Sequence, residues 1–196
     1  MSIEERIKKI KTMISKRQKD IIVVLEDIHD PHNAAAIFRS CDAFGIQNVY
    51  LIFETHKSYN PSKIGRVSSA SANKWLTFTK FNSTKNCFDQ LKKDGYKIFG
   101  TILGDDCESI YDQKFIKYDK IALVIGNEHS GLSQTAIEMV DKKIIIPMRG
   151  IIQSFNVSVS AAICMAEITR QRMKKGKNFL LDSSDQKKLL NDLINR

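Results

Sequence analysis

Residues 144–160 read IIIPMRGIIQSFNVSVS. A short apolar strand ends at Pro147, a polar loop follows, and a helix of small residues begins near Phe155. Ser154 and Asn156 lie where the loop turns into the helix. Backbone polar groups left free at such a junction can hold a ligand. The segment therefore predicts a strand, a ligand-binding loop and a buried helix in that order.

The same order of elements recurs along the whole chain. Buried apolar strands separated by helices indicate a parallel sheet covered on both faces. We therefore expect an α/β fold, a mainly parallel sheet flanked by helices, as a single domain over residues 1–196. The predicted strands are 21–25, 49–53, 96–103, 121–125 and 144–146, the predicted helices are 33–43, 84–93, 133–140 and 155–172, and 54–73 is a long loop.

The two ends of the chain are basic and helical in pattern. Ile3, Ile7, Ile10 and Ile14 recur at helical spacing in the first segment, and residues 182–196 form a second amphipathic pattern. We expect basic helical extensions at about 1–19 and 173–196. The formal charge of +9 favours polyanionic partners, although solvated helix faces explain the charge equally well. The late basic cluster contains Arg170, Arg172, Lys174, Lys175 and Lys177.

Several classes of protein are disfavoured. No apolar run approaches the roughly 20 residues that span a bilayer, and the first residues lack a secretory signal, so a cytoplasmic protein without membrane contact is expected. The four cysteines are widely spread, and His29 and His32 have no second ligand cluster, so no metal site is expected. The turn after the first strand lacks the glycine pattern of a Rossmann loop.

The predicted helix 155–172 is apolar on nearly every side over its first three turns. A helix of this kind must be buried nearly all round. Because one sheet face covers only part of it in so short a chain, a homodimer is expected.

Three motifs together carry a resemblance to a known family. Residues 26–33 read EDIHDPHN, residues 125–132 read IGNEHSGL and residues 154–159 read SFNVSV. With these motifs the chain resembles the SpoU/TrmH family of RNA ribose 2′-O-methyltransferases, which use S-adenosylmethionine. The resemblance covers about Arg17 to Arg172, and Phe155 stands where leucine is commoner.

The resemblance implies a fold and a set of site residues. It implies a C-terminal trefoil knot, which no pattern in the sequence itself indicates. The implied catalytic residues are Arg39, Asn33, Glu128, Ser154 and Asn156, with Asn33 orienting Arg39. The implied cofactor-binding residues are Thr101, Gly126, Ile146, Met148 and Phe155. Purely structural roles stay open: Asn33 as a helix N-cap, Glu128 as an acid in a first helical turn, and Arg39 as a paired structural arginine.

Within the family the chain looks most like the TrmH branch, which methylates guanosine 18 in the D-loop of tRNA. This implies tRNA as partner, bound through the extensions. The candidate RNA-binding residues are Arg6, Lys9, Arg17, Arg170 and Arg172. Methylation of ribosomal RNA or of another tRNA position is an alternative, and a non-catalytic RNA-binding protein is a second.

Overall fold

The computed structural model describes residues 2–64, 72–174 and 179–195, so Lys175 and Lys177 of the late basic cluster lie outside the described residues. Seven strands form one sheet in the order β3-β2-β1-β6-β4-β7-β5. Every pairing between neighbouring strands is parallel. This confirms the predicted α/β class. The strands are β1 (Gln18–Glu26), β2 (Ile46–Ile52), β3 (Thr77–Phe81), β4 (Lys97–Thr101), β5 (Glu108–Ser109), β6 (Ile121–Ile125) and β7 (Lys142–Ile145).

Helices cover both faces of the sheet. They are α1 (Ile3–Ile14), α2 (Pro31–Ala43), α3 (Thr84–Lys93), α4 (Gln134–Met139), α5 (Val157–Lys174) and α6 (Ser183–Ile194), with short 3-10 helices at Ala72–Lys74 and Phe115–Lys117. Alternate residues of β1 enter opposite cores: Ile21 and Val23 pack with α2 and α5, whereas Ile22 and Val24 pack with α3 and α4. A strand buried on both faces needs a continuous apolar run, and β1 has one.

Two strands lie where the sequence predicts none. The edge strand β3 reads TFTKF, and two of its five residues are exposed, so the apolar run that marks the inner strands is missing. The other edge strand, β5, has only two residues. Edge strands bury less surface and give weaker patterns. The described parts of the predicted loop 54–73 contain turns and the start of the Ala72–Lys74 helix.

The two terminal helices pack on each other. Ile10 and Ile14 of α1 meet Leu193 of α6 in a small separate core, with Trp75 against it. Lys19 forms ion pairs with Asp182 and Asp185, with Nζ–Oδ2 distances of 3.0 and 3.1 Å. The two predicted extensions are therefore adjacent in space.

Two of the predicted RNA contacts are wrong. Arg17 is 1% exposed, and its Nη2 lies 2.6 Å from Oδ1 of Asp42. Arg172 is fully buried and donates to the carbonyls of Lys19 and Asp119, each at 2.9 Å. Burial lowers the pKa of Arg172 to about 10, although Asp20 and Asp119 oppose this shift. Guanidinium groups enclosed in this way tie chain segments together and cannot reach an RNA.

Helix α5 begins at Val157, two residues later than predicted, and is not buried all round. Ala161, Cys164 and Ile168 are buried, and α5 packs against α2. Val159, however, is 43% exposed, and Ile151, Ile152 and Phe155 of the preceding loop are exposed as well. No helix in the described part of the chain is long and apolar enough to cross a membrane.

Candidate functional site

The three motifs meet at the carboxyl edge of the sheet. Residues 26–33 leave β1, residues 125–132 leave β6, and the loop 146–156 leaves β7 for α5. β1 pairs with β6, while β4 lies between β6 and β7. Open α/β sheets bind ligands at this edge, so the topology brings the motifs to one site.

Glu128 joins the second motif to the first. Its carboxylate accepts hydrogen bonds from the backbone N–H of His29 at 2.9 Å, the backbone N–H of Asp30 at 3.1 Å and Nδ2 of Asn33 at 2.9 Å. Burial by itself raises the pKa of Glu128, but the bonds from Asn33, His29 and Asp30 outweigh it and hold the pKa below its ordinary value. The group is therefore a fixed anion at neutral pH.

Asn33 continues this chain of hydrogen bonds into the third motif. Its Oδ1 accepts from Nδ2 of Asn156 at 3.1 Å. Oδ1 of Asn156 in turn accepts from the backbone N–H of Ser158 at 2.9 Å and from the Ser158 hydroxyl at 2.6 Å, which caps the start of α5. Glu128, Asn33 and Asn156 therefore form one continuous polar unit across the three motifs.

The structure excludes two purely structural roles, that of Asn33 as the N-cap of α2 and that of Arg39 as a paired structural arginine. Asp30, not Asn33, is the N-cap of α2, since its carboxylate accepts from the backbone N–H of His32 at 2.8 Å. No hydrogen bond joins Asn33 to Arg39 in the described part of the chain; Asn33 instead donates to Glu128 and accepts from Asn156. Arg39 is exposed on α2 and forms no hydrogen bond within the described part of the chain.

The loop of the second motif is shaped by its glycines and by Asn127. A Cβ at Gly126 would lie 2.4 Å from the carbonyl carbon of Gly131, so no larger residue fits there, and Gly131 itself has a φ of +68°. Asn127 donates from Nδ2 to the Asp27 carbonyl at 2.7 Å and accepts from the backbone N–H of His129 at 2.8 Å. The loop is therefore rigidly tied to the end of β1.

The residues expected to hold the cofactor line a single cleft of about 210 Å³. All five are present in its wall, together with two of the candidate catalytic residues: Thr101, Gly126, Ile146, Met148, Phe155, Glu128 and Ser154. Thr101 also donates from Oγ1 to the Val124 carbonyl at 3.2 Å, which ties the ends of β4 and β6 together. Ser154 is exposed at the end of the loop, ahead of Asn156.

Some features of this edge were not predicted. Leu103 and Gln153 also line the cleft, and only their position just beyond β4 and just before Ser154 could have suggested it. Three imidazoles cluster nearby: the ring centroid of His29 lies 5.2 Å from that of His56 and 6.4 Å from that of His129. These histidines belong to three separate loops. Among the described residues no group of histidine, cysteine or carboxylate side chains is arranged to hold a metal ion.

Comparison with known proteins identifies similar chains. Residues 20–166 match the SpoU rRNA methylase family. The chain is 35% identical over 174 residues to the tRNA (guanosine(18)-2′-O)-methyltransferase of Aquifex aeolicus, across 89% of this chain and 80% of that protein. Its structure is similar to that of the A. aeolicus TrmH/SpoU tRNA modifying enzyme, with a TM-score of 0.87 and 33% identity over 98% of this chain and 96% of that one.

A second solved structure matches with bound cofactor. It is the SpoU methyltransferase AviRb from Streptomyces viridochromogenes in complex with AdoMet, which has a TM-score of 0.68 and 26% identity. The match covers 83% of this chain and 62% of that one.

Proposed function

The chain belongs to the SpoU rRNA methylase family, and from that premise we propose that it is an S-adenosylmethionine-dependent tRNA (guanosine-2′-O)-methyltransferase acting on guanosine 18 of the D-loop. One feature supports this activity above all. The polar unit Glu128–Asn33–Asn156 joins all three motifs beside the cleft that the five cofactor residues line.

The cleft suits S-adenosylmethionine on its own chemistry. Leu103, Ile146 and Phe155 offer apolar surface for an adenine ring, and Gly126 leaves the end of β6 free of a side chain. Thr101 and Met148 would complete the wall. When bound, S-adenosylmethionine would supply an electrophilic methyl group: its S–CH₃ bond breaks as the bond to the ribose 2′-oxygen forms, and the 2′-hydroxyl proton passes to solvent.

The residues of the chain divide the remaining tasks. Glu128 stays ionised and fixes Asn33, and Asn33 fixes Asn156 at the start of α5. Ser154 and Asn156 would then align the ribose. Arg39 would grip a neighbouring phosphate and stabilise the developing alkoxide, since a guanidinium is a strong hydrogen-bond donor but a poor base. Positioning and electrostatic stabilisation together would account for the catalysis.

The substrate is bound through exposed cations. Arg6 and Lys9 lie on the outer surface of α1. Arg170 is also exposed, although Glu167 holds it with two hydrogen bonds of 2.6 and 2.7 Å and so reduces its free charge. The described residues of the two extensions present these cations beside the single catalytic domain, and binding should weaken strongly as salt rises.

A homodimer completes the proposal. Ile151, Ile152, Phe155 and Val159 are between 40% and 102% exposed within nine residues of chain. An apolar surface of this kind on the loop and first turn of α5 fits a second copy of the chain. Sedimentation of the purified protein, and of an Ile152→Asp variant that should shift it toward monomer, tests this interface.

A trefoil knot is also proposed for the C-terminal part of the chain. β4 lies between β6 and β7 in the sheet, and the chain returns after β7 through the loop 146–156 to α5, which packs under the strands beside α2. This order of segments is compatible with threading of α5 through the loop that follows β6. An experimental structure traced continuously from Ile121 to Lys174 tests it.

The activity itself is tested by methyl transfer. Labelled S-adenosylmethionine is supplied with unmodified tRNA and rRNA transcripts, and the product is mapped by cleavage that ribose methylation blocks. We expect one 2′-O-methyl group, at guanosine 18 of tRNA. Methylation of rRNA alone would change the assigned substrate from tRNA to rRNA. Cofactor binding without any methyl transfer would favour a non-catalytic RNA-binding protein.

A further inference from the structure

A second, larger depression lies at the far edge of the sheet. It has a volume of about 1130 Å³ and runs between the outermost strand β3, the loop at Asn60–Ser62 and the helices α1 and α6. We call it the β3 groove. It shares no lining residue with the cofactor cleft. Trp75, Phe78 and Leu193 contribute its apolar surface.

The rim of the β3 groove is cationic. Arg6, Lys74 and Lys80 line it, and none of the described lining residues is a carboxylate. Arg6 and Lys74 are exposed, and neither forms an ion pair within the described part of the chain. The groove therefore keeps its positive charge available for an external anion.

The third cation braces the groove. Lys80 donates from Nζ to the Tyr59 carbonyl at 2.7 Å and lies 5.7 Å from the centre of the Phe53 ring. This contact holds the loop after β2 against β3. Aromatic surface beside backbone-tracking cations is the combination that single-stranded nucleic acids bind, since bases stack while phosphates pair with the cations.

The β3 groove also points toward the catalytic edge. β3 runs parallel to β2, and the backbone N–H of Phe53 donates to the Phe81 carbonyl at 2.9 Å where both strands end. The loop after β2 contributes Asn60 to the groove and places His56 beside His29 of the first motif. An RNA strand lying in the groove would therefore run from the terminal helices toward the proposed methylation site.

We propose that the β3 groove binds an unpaired segment of the substrate RNA outside the target nucleotide. Arg6 and Lys74 contact its phosphates, and a base packs against Trp75. This assignment rests on the proposed RNA methyltransferase function and adds to it a second, separate contact that anchors the RNA during transfer.

A matched pair of charge reversals tests the groove. Lys74→Glu removes a groove cation, whereas Lys93→Glu makes the same change at an exposed position of α3 outside the groove. With unmodified tRNA and salt varied from about 50 to about 200 mM, Lys74→Glu should weaken binding about tenfold and reduce the salt slope by about one, and Lys93→Glu should weaken it no more than about twofold. Both should keep wild-type calorimetric affinity for S-adenosylmethionine.

Trp75 supplies a direct optical readout, because it is the chain's single tryptophan. Its emission should be quenched saturably by tRNA at the concentrations that give binding, and Lys74→Glu should shift that curve to higher RNA concentration. If the wild-type protein binds and methylates tRNA but Lys74→Glu matches Lys93→Glu, the groove assignment is overturned. If the wild-type protein neither binds nor methylates RNA, the proposed function fails first.

Discussion

Replacing Glu128 by glutamine tests the polar unit at the centre of the site. The carboxylate accepts three N–H groups, from His29, Asp30 and Asn33. In glutamine, Oε1 can still accept from Asp30 and Asn33, but the new NH₂ group faces the His29 N–H, donor against donor. One charge-assisted hydrogen bond, worth about 1.5–3 kcal/mol, is lost, and the remaining two are weakened. Because Glu128 is only half-buried, water recovers part of this loss.

The net loss should be about 2 kcal/mol, which corresponds to about 30-fold in rate if the lost bonds serve the transition state. We expect Glu128→Gln to lower the single-turnover rate of methyl transfer by that factor. Glu138→Gln is the matched control, since Glu138 is exposed on α4 and, among the described residues, its side chain accepts only from Gln134, at 2.7 Å. A Glu128→Gln rate within about threefold of wild type, or an equal fall in the control, would refute the positioning role.

Four further outcomes follow from the geometry. Arg39→Ala should lower methyl transfer about 100-fold or more without changing the calorimetric affinity for S-adenosylmethionine, and Arg39→Lys should recover only part of it. Gly126→Ala should weaken that affinity about tenfold or more, because its Cβ meets the Gly131 backbone. Arg172→Met should lower the free energy of unfolding by about 3 kcal/mol in denaturant titrations, because it strands buried carbonyls, yet leave the salt slope of tRNA binding unchanged. The pKa of Glu128 is lower in the folded protein than in the unfolded chain. Its contribution to the free energy of unfolding should therefore be full above the unfolded carboxyl pKa of about 4.3 and be lost as pH falls through the lower folded pKa. Denaturant titrations at a series of pH values should show the stabilities of wild type and Glu128→Gln converging as pH falls through that range.

The sheet could be predicted because its inner strands are buried on both faces. β6 has five consecutive buried apolar residues, and its predicted bounds of 121–125 are the observed ones. β3 could not be predicted in the same way, because this edge strand carries lysine and threonine and lacks a continuous apolar run. The predicted starts of α2 and α5 each differ by two residues from the observed ones, because each helix begins directly after its capping side chain, Asp30 or Asn156.

The sequence pattern does not reveal which arginines are buried. Arg17 and Arg172 lie in basic clusters that resemble those of surface helices. Only the fold reveals that the guanidinium of Arg17 faces Asp42 and that of Arg172 faces backbone carbonyls. A charge pattern records how many cations a segment has, and burial decides which of them can meet a ligand. The family resemblance predicts five residues that line one cleft. The histidine cluster instead joins His29 and His129 of two motifs to His56 outside them, and the β3 groove combines segments that share no motif.

The polar unit of the active site has a consequence for how the protein is made. Its hydrogen bonds join residues 95 and 123 positions apart, and the last partner, Asn156, follows every strand of the sheet. During synthesis from the amino terminus, Asn33 and Glu128 can meet only after β6 has been made, and the hydrogen bond from Asn156 must wait for the segment that leads into α5. A nascent chain that stops before Asn156 lacks the last member of the polar unit and also the buried α5 residues Ala161, Cys164 and Ile168, so the site and the core on that face of the sheet are completed together, late in synthesis.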